Sequence, residues 1–148
     1  MVNLGIIGVS EGNGHPYSFS AIINGYNKDA MKDSGWIGIL NYLNLKDESD
    51  FLINKAIVTH IWTQNLNDSI MIANATFIEN ICDNFEDMIG KVDAVIIARD
   101  DYETHFLYAK PFLENGIKVF IDKPLSLNIE ELKFFLPYLK NNQLMSCS

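Results

Sequence analysis

Gly8, Gly12 and Gly14 stand close together in the segment LGIIGVSEGNGHPYS, with Ser10, Asn13 and His15 among them. Glycine lets a backbone approach a ligand closely, and a helix that starts just after such a turn offers free N–H groups to an anion. Gly8 suits the tight exit from a strand, and Gly12 and Gly14 add two positions without a Cβ before the helix. Ser10 and Asn13 can donate side-chain hydrogen bonds. The chemistry this spacing points to is a pyrophosphate cradle, as in dinucleotide binding. The pattern departs from G-x-G-x-x-G at the second glycine, where Ser10 stands, and Glu11 brings a carboxylate near the anion. From these residues alone a glycine-rich connection with no ligand is an equal reading. His15 either helps to position a cofactor or is a plain loop histidine.

Such a turn needs a strand before it and a helix after it. Residues 3–9 form an apolar run closed by glycines, and residues 16–24 suit a short helix with Pro16 in its first turn and Gly25 at its stop. Residues 26–54 mix glycines with charge clusters and are expected to be a long irregular insertion holding one helical turn. AIVTHIWT (56–63) predicts the second strand, and 66–76 a helix with Ile70, Ala73 and Phe77 on one face. FIENIC predicts a short strand, and NFEDMIG a short helix ended by Gly90. Further strands are expected at 92–98 and 117–122. Helices are expected at 102–116, bent or shifted by Pro111, and at 128–142, with Asn128 as N-cap and Glu131 completing a capping box. QLMSCS begins one more strand.

Apolar strands alternating with helices predict an α/β fold, a single-domain, doubly wound parallel sheet of Rossmann type over residues 1–148. Ligands of such sheets bind at the carboxyl ends of the strands, which directs attention to loops 8–15, 63–67, 98–105 and 122–126. At the end of the second strand, where an acidic residue usually bonds the ribose hydroxyls, the sequence has Thr63-Gln64-Asn65, and the next carboxylate is Asp68. Thr63 can bond a ribose hydroxyl, and the choice between NAD and NADP stays open. His60, inside a strand, is expected to be structural.

A net charge of −8 argues against nucleic acid or an anionic membrane as a partner. No run approaches the roughly 18 apolar residues of a membrane span. The start of the chain lacks the pattern of a signal peptide, and Cys82 and Cys147 have no metal-ligand spacing, so a reduced, cytoplasmic protein is the expectation. An exposed sheet edge would allow a homo-oligomer.

IDKPLSLNIEEL (121–132), following HFLYAKPFLENGIKVF, resembles the Gfo/Idh/MocA oxidoreductases, which usually carry Glu-Lys-Pro-Leu at that place. GNGHPYSFSAIINGY and DMIGKVDAVIIARDD look like a branch of that family with a long insertion after the first helix. The resemblance covers essentially the whole chain. It implies a nicotinamide-dependent dehydrogenase or reductase acting on sugars, cyclitols or related polyols. Lys123 is then the residue at the reacting hydroxyl, useful in proton transfer if its pKa is lowered beside the nicotinamide. Asp122 and Pro124 shape its turn, and His105 matches a histidine the family often has at the start of the preceding helix. Arg99-Asp100-Asp101 replaces the usual Thr-Pro-Asn, so Arg99 can pair with either aspartate or reach a phosphate. The resemblance also implies a second α/β domain, outside these 148 residues, that supplies substrate contacts and the acid–base group. The alternative is a non-catalytic, Rossmann-type nucleotide-binding or interaction module.

Overall fold

The computed structural model describes residues 1–51 and 55–146; Cys147 lies outside them. The chain runs through β1 (Val2–Ile7), α1 (His15–Asn24), α2 (Lys28–Asp33), α3 (Ile37–Asn44), β2 (Ala56–Trp62), α4 (Leu66–Thr76) and β3 (Asn80–Ile81). It continues through β4 (Ala94–Ile97), α5 (His105–Glu114), β5 (Lys118–Ile121), α6 (Ile129–Lys140) and β6 (Leu144–Ser146), with 3-10 turns at Glu48–Asp50, Phe85–Met88 and Tyr102–Thr104. The strands form one six-stranded sheet in the order β3-β2-β1-β4-β5-β6, and every pairing is parallel. This is the expected Rossmann-type α/β sheet. Strand order reverses between β1 and β4, so the chain's connections leave opposite faces there and a crevice opens at the carboxyl ends of those two strands.

Successive strand residues point to opposite faces, and the two cores follow that alternation. Ile6, Val58 and Ile61 pack with Tyr17, Ala21, Ile72 and Ala75 of α1 and α4. Ile7, Val95, Ile97, Val119 and Ile121 pack on the other face with Tyr108, Phe112 and Phe135 of α5 and α6. The coverage is uneven. Ile96, Phe120 and Met145 face the α1 side, where with Phe19, Ile22 and Ile23 they line a wholly apolar groove of about 350 Å3.

The main correction concerns the expected irregular insertion at 26–54. It contains two helices, each too short to show a period, and each buries one large apolar side chain completely, Met31 and Leu43. The Asn27 side chain starts α2 by accepting from the N–H groups of Asp29 and Ala30. Residues 52–54 of that stretch lie outside the described residues. Five smaller expectations also change. Phe77 is half exposed in a left-handed cap at φ 56°, and α4 instead buries Ser69, Ile72, Ala73, Ala75 and Thr76. FIENIC contributes only the two paired residues of β3, and NFEDMIG only the 3-10 turn at Phe85–Met88. Pro111 sits inside an uninterrupted α5, where the carbonyl it leaves without a helical donor is that of exposed Leu107. Asn128 caps α6 as expected, but Glu131 takes the Ser126 hydroxyl at 2.5 Å, and Ser126 in turn accepts from Asn128 N–H.

Candidate functional site

β1 ends at Ile7, and the chain turns through Gly8 at φ 79° and Gly12 at φ 76° before α1 begins. Both angles lie in the left-handed region that glycine adopts without strain. The three glycines do different things. A Cβ on Gly8 would meet the Arg99 side chain, and one on Gly14 would lie 2.4 Å from Ile39 Cδ1 and 2.8 Å from Trp36 Cε3. Nothing lies within 4 Å of a Cβ on Gly12. Gly8 and Gly14 therefore admit parts of the protein itself, and Gly12 is the position left open to a ligand.

The side-chain donors expected for a phosphate are spent elsewhere. Ser10 Oγ donates to Asp100 Oδ1 at 2.5 Å. Asn13, almost fully buried, donates to Asp122 Oδ2 at 3.0 Å and accepts from His15 N–H at 2.9 Å. What remains is backbone. Among the described residues, the N–H groups of Ser10, Glu11, Gly12 and Gly14 have no hydrogen-bond partner. α1 has no side-chain cap from Gly14 and no acidic residue of its own in its first turn, although Asn13 Oδ1 accepts from its first N–H, that of His15.

Asp122, at the end of β5, is the node of the site. Its Oδ2 accepts from Asn13 and from His15 Nδ1, and its Oδ1 accepts from Lys123 N–H at 2.9 Å. Burial by itself would push this carboxyl up, yet the hydrogen bonds from His15, Asn13 and Lys123 N–H together hold it below its ordinary value. Lys123 is exposed, and the Lys123–Pro124 peptide is cis. The glycine turn and the Asp-Lys-Pro turn, far apart in sequence, are thus tied by one buried carboxylate.

Arg99, at the end of β4, takes the first of the alternatives left open for it. Its Nε and Nη2 pair with Asp101 at 2.8 and 2.5 Å, its Nη1 donates to Gln64 at 3.1 Å, and its guanidinium lies 5.3 Å from the Tyr108 ring centre. The hydrogen bond to Asp101 leads the causes that raise its pKa. Its charge is neutralised before any phosphate arrives.

Two expected site residues are buried and hydrogen-bonded within the protein. Thr63 is buried; its hydroxyl donates to Asn65 O at 2.6 Å and meets Ser69 Oγ at 2.8 Å. The neighbouring Gln64, not singled out in the sequence, is exposed, and its amide bonds Val9 O. His105 is fully buried, with Nε2 on Arg99 O at 2.7 Å and Nδ1 near Leu125 O at 3.1 Å. It links the β4 and β5 loops.

Two clefts flank Gly12. On the β2 side, about 360 Å3 is bounded by Ser10, Glu11, Tyr17, Trp36, Gln64 and Asp68. On the β5 side, about 290 Å3 is bounded by Asn13, His15, Ser18, Ile39, Asp100 and Lys123. Burial and the Asp68 carboxylate push the Tyr17 hydroxyl up to about 12. A dinucleotide fits this arrangement: a bare turn with free amides for the pyrophosphate, and a compartment on each side for a nucleoside. Among the described residues there is no cluster of His, Cys, Asp and Glu able to hold a metal ion, and no helix long and apolar enough to cross a membrane.

An open parallel sheet with an amide-lined glycine turn at its switch point defines a nucleotide-binding Rossmann domain. Residues 34–147 match the sequence model of the Gfo/Idh/MocA oxidoreductases, described as an oxidoreductase family with an NAD-binding Rossmann fold. The chain belongs to that family, and nicotinamide dinucleotide is the cofactor class of this domain. No curated protein matches the sequence. Among solved structures, scyllo-inositol dehydrogenase from Lactobacillus casei, with bound cofactor NAD(H) and scyllo-inositol, is similar with a TM-score of 0.64 at 18% identity, over 99% of this chain and 36% of that one. A probable dehydrogenase from Thermotoga maritima gives 0.63 at 18% identity, over 98% and 35%. UDP-N-acetylglucosamine 3-dehydrogenase from Acidithiobacillus ferrooxidans gives 0.61 at 20% identity, over 97% and 35%. At such identities the likeness is one of fold, and the chain spans little more than a third of the length of each.

Proposed function

We propose that this chain binds NAD across Gly12 and forms the cofactor-binding part of a dehydrogenase for a sugar- or polyol-like substrate. The pyrophosphate would rest on the amides of residues 10–12 and 14, the adenosine in the β2-side cleft and the nicotinamide in the β5-side cleft. The observation that carries this reading is the open turn at Gly12 between two clefts, with unpartnered amides along it. Glu11 and Asp68 border the β2-side cleft without a cation among its lining residues, which disfavours the added 2′-phosphate of NADP.

When bound, the nicotinamide supplies a two-electron hydride acceptor or donor. The chain's own part is to hold Lys123 beside it, at the mouth of the β5-side cleft, where its ammonium can orient the substrate oxygen. Asp122 fixes that turn through Lys123 N–H, and Pro124 follows it. The substrate class is suggested by the Asp-Lys-Pro motif and by relatives named as inositol and sugar-nucleotide dehydrogenases. Titration of the purified chain with NADH, followed by nucleotide fluorescence, is the test. Saturable binding below millimolar concentration, tighter than for NADPH, is expected. The absence of any binding at that concentration would overturn the reading.

A further inference from the structure

His15 stands apart from the other histidines: one ring nitrogen is held by a buried carboxylate and the other is free. Its Nδ1 hydrogen-bonds Asp122 Oδ2, its ring stacks on Phe19 at 4.8 Å between centres, and its side chain is 36% exposed. The ionised Asp122 can only accept, so Nδ1 carries the proton of the neutral ring and Nε2 keeps its lone pair. No partner for Nε2 exists among the described residues, and the ring borders the same cleft as Lys123. His15 and Lys123 converge on the two oxygens of one carboxylate, the ring at Oδ2 and the Lys123 N–H at Oδ1. A histidine oriented through Nδ1 with a free Nε2 is the arrangement of a proton acceptor.

We propose that His15, oriented by Asp122, carries the proton of the reaction between Lys123 and solvent. The inference rests on the dinucleotide reading above. In the oxidative direction a bound, oxidised nicotinamide would take up the carbinol hydrogen as hydride, with both electrons of the C–H bond. The carbinol O–H proton would pass by way of Lys123 Nζ to His15 Nε2 and then to water, leaving both side chains as they began. The products are a carbonyl, the reduced nicotinamide and one proton released. The acid–base function expected of a second domain is then already prepared on this one.

The test needs no substitution and no second domain. Chain labelled with 15N in its histidines is titrated with acid in three forms: free, with NAD⁺ and with NADH. The groups facing His15 are Asp122 and Lys123 from the β5 loop and Asp100 from the β4 loop; α3 contributes only Ile39 and the segment before it Trp36. Below pH 6 any partial titration of Asp122 would move all three curves alike, so the comparison between cofactors isolates the nicotinamide charge. The 15N shifts are expected to show the Nδ1-protonated tautomer. The His15 midpoint is expected to fall by about half a pH unit in NAD⁺ relative to NADH, the size of one unit charge at roughly 10 Å in a wet cleft. His60 is expected not to follow. Equal midpoints in the two bound forms, or an Nε2-protonated tautomer, would overturn the proposal while leaving the cofactor reading standing. Failure of both dinucleotides to bind, seen independently by fluorescence, would overturn the cofactor reading and this proposal with it.

Discussion

Arg99 lies across Gly8 so closely that a Cβ on the glycine would fall 2.2 Å from Arg99 Cδ and 2.6 Å from Arg99 Cγ. The first glycine of the turn therefore makes room for a strut of the protein's own, which runs from β4 over β1 to Gln64 and Asp101. Arg99→Gln is expected to destabilise the fold by about 1–3 kcal/mol, because Asp101 and the Tyr108 face lose their partner. NADH affinity should stay within about threefold, with an unchanged salt dependence, since this cation is already neutralised. Urea unfolding and fluorescence titration at two salt concentrations measure both. A loss of affinity far larger than the loss of stability would return Arg99 to the phosphate.

Gly12 and Gly14 should separate cleanly by substitution. Gly12→Ala strains only a left-handed turn, at about 1–2 kcal/mol, yet sets a methyl where the pyrophosphate would approach. NADH binding is expected to weaken at least tenfold. Gly14→Ala drives a methyl into Ile39 and Trp36, at about 1–3 kcal/mol, and should shift tryptophan emission even without nucleotide. The opposite assignment of effects would mean that the turn is used differently.

Most of the strands and their parallel pairing were legible in the sequence because buried parallel strands are continuous apolar runs, and Gly8 marks the exit of β1. The helices Lys28–Asp33 and Ile37–Asn44 were not, since six or eight residues bury a single anchor each and leave no period. At the site, the types were legible and the partners were not. Nothing local says that Asn13 and His15 will both meet Asp122, more than a hundred residues away, or that Ser10 will meet Asp100. Thr63 looked like a ribose contact because strand ends usually face the ligand; its neighbour Ser69 on α4 turns it inward.

Asp122→Asn gives a pH signature whose sign is fixed. The folded carboxyl sits below its unfolded value, so its stabilisation is present above the unfolded value near pH 4 and is lost as pH falls through the folded one. The variant is expected to be less stable than the parent by about 1–3 kcal/mol at pH 7 and to converge with it in strong acid. Denaturant melts across pH 2–7 measure the difference. A constant difference down to the lowest pH would show that charge at Asp122 is not the cause.

His105→Ala should remove the N–H donor shared by the neighbourhood of the Arg99 and Leu125 carbonyls and open a cavity in a fully buried place. A stability loss of about 2–4 kcal/mol is expected. NADH affinity measured on the folded protein should change little, because no ligand reaches this ring. A variant of parental stability with abolished cofactor binding would make His105 a site residue after all.

Trp36 borders both clefts, and the other tryptophan, Trp62, is packed against Phe85 and Tyr108. The indole held in place by Gly14 is therefore an optical gauge built into the wall of the site. Its emission overlaps the absorption band of a dihydronicotinamide, so a reduced cofactor seated on either side of Gly12 would quench it by energy transfer. The oxidised form, lacking that band, would leave this channel closed.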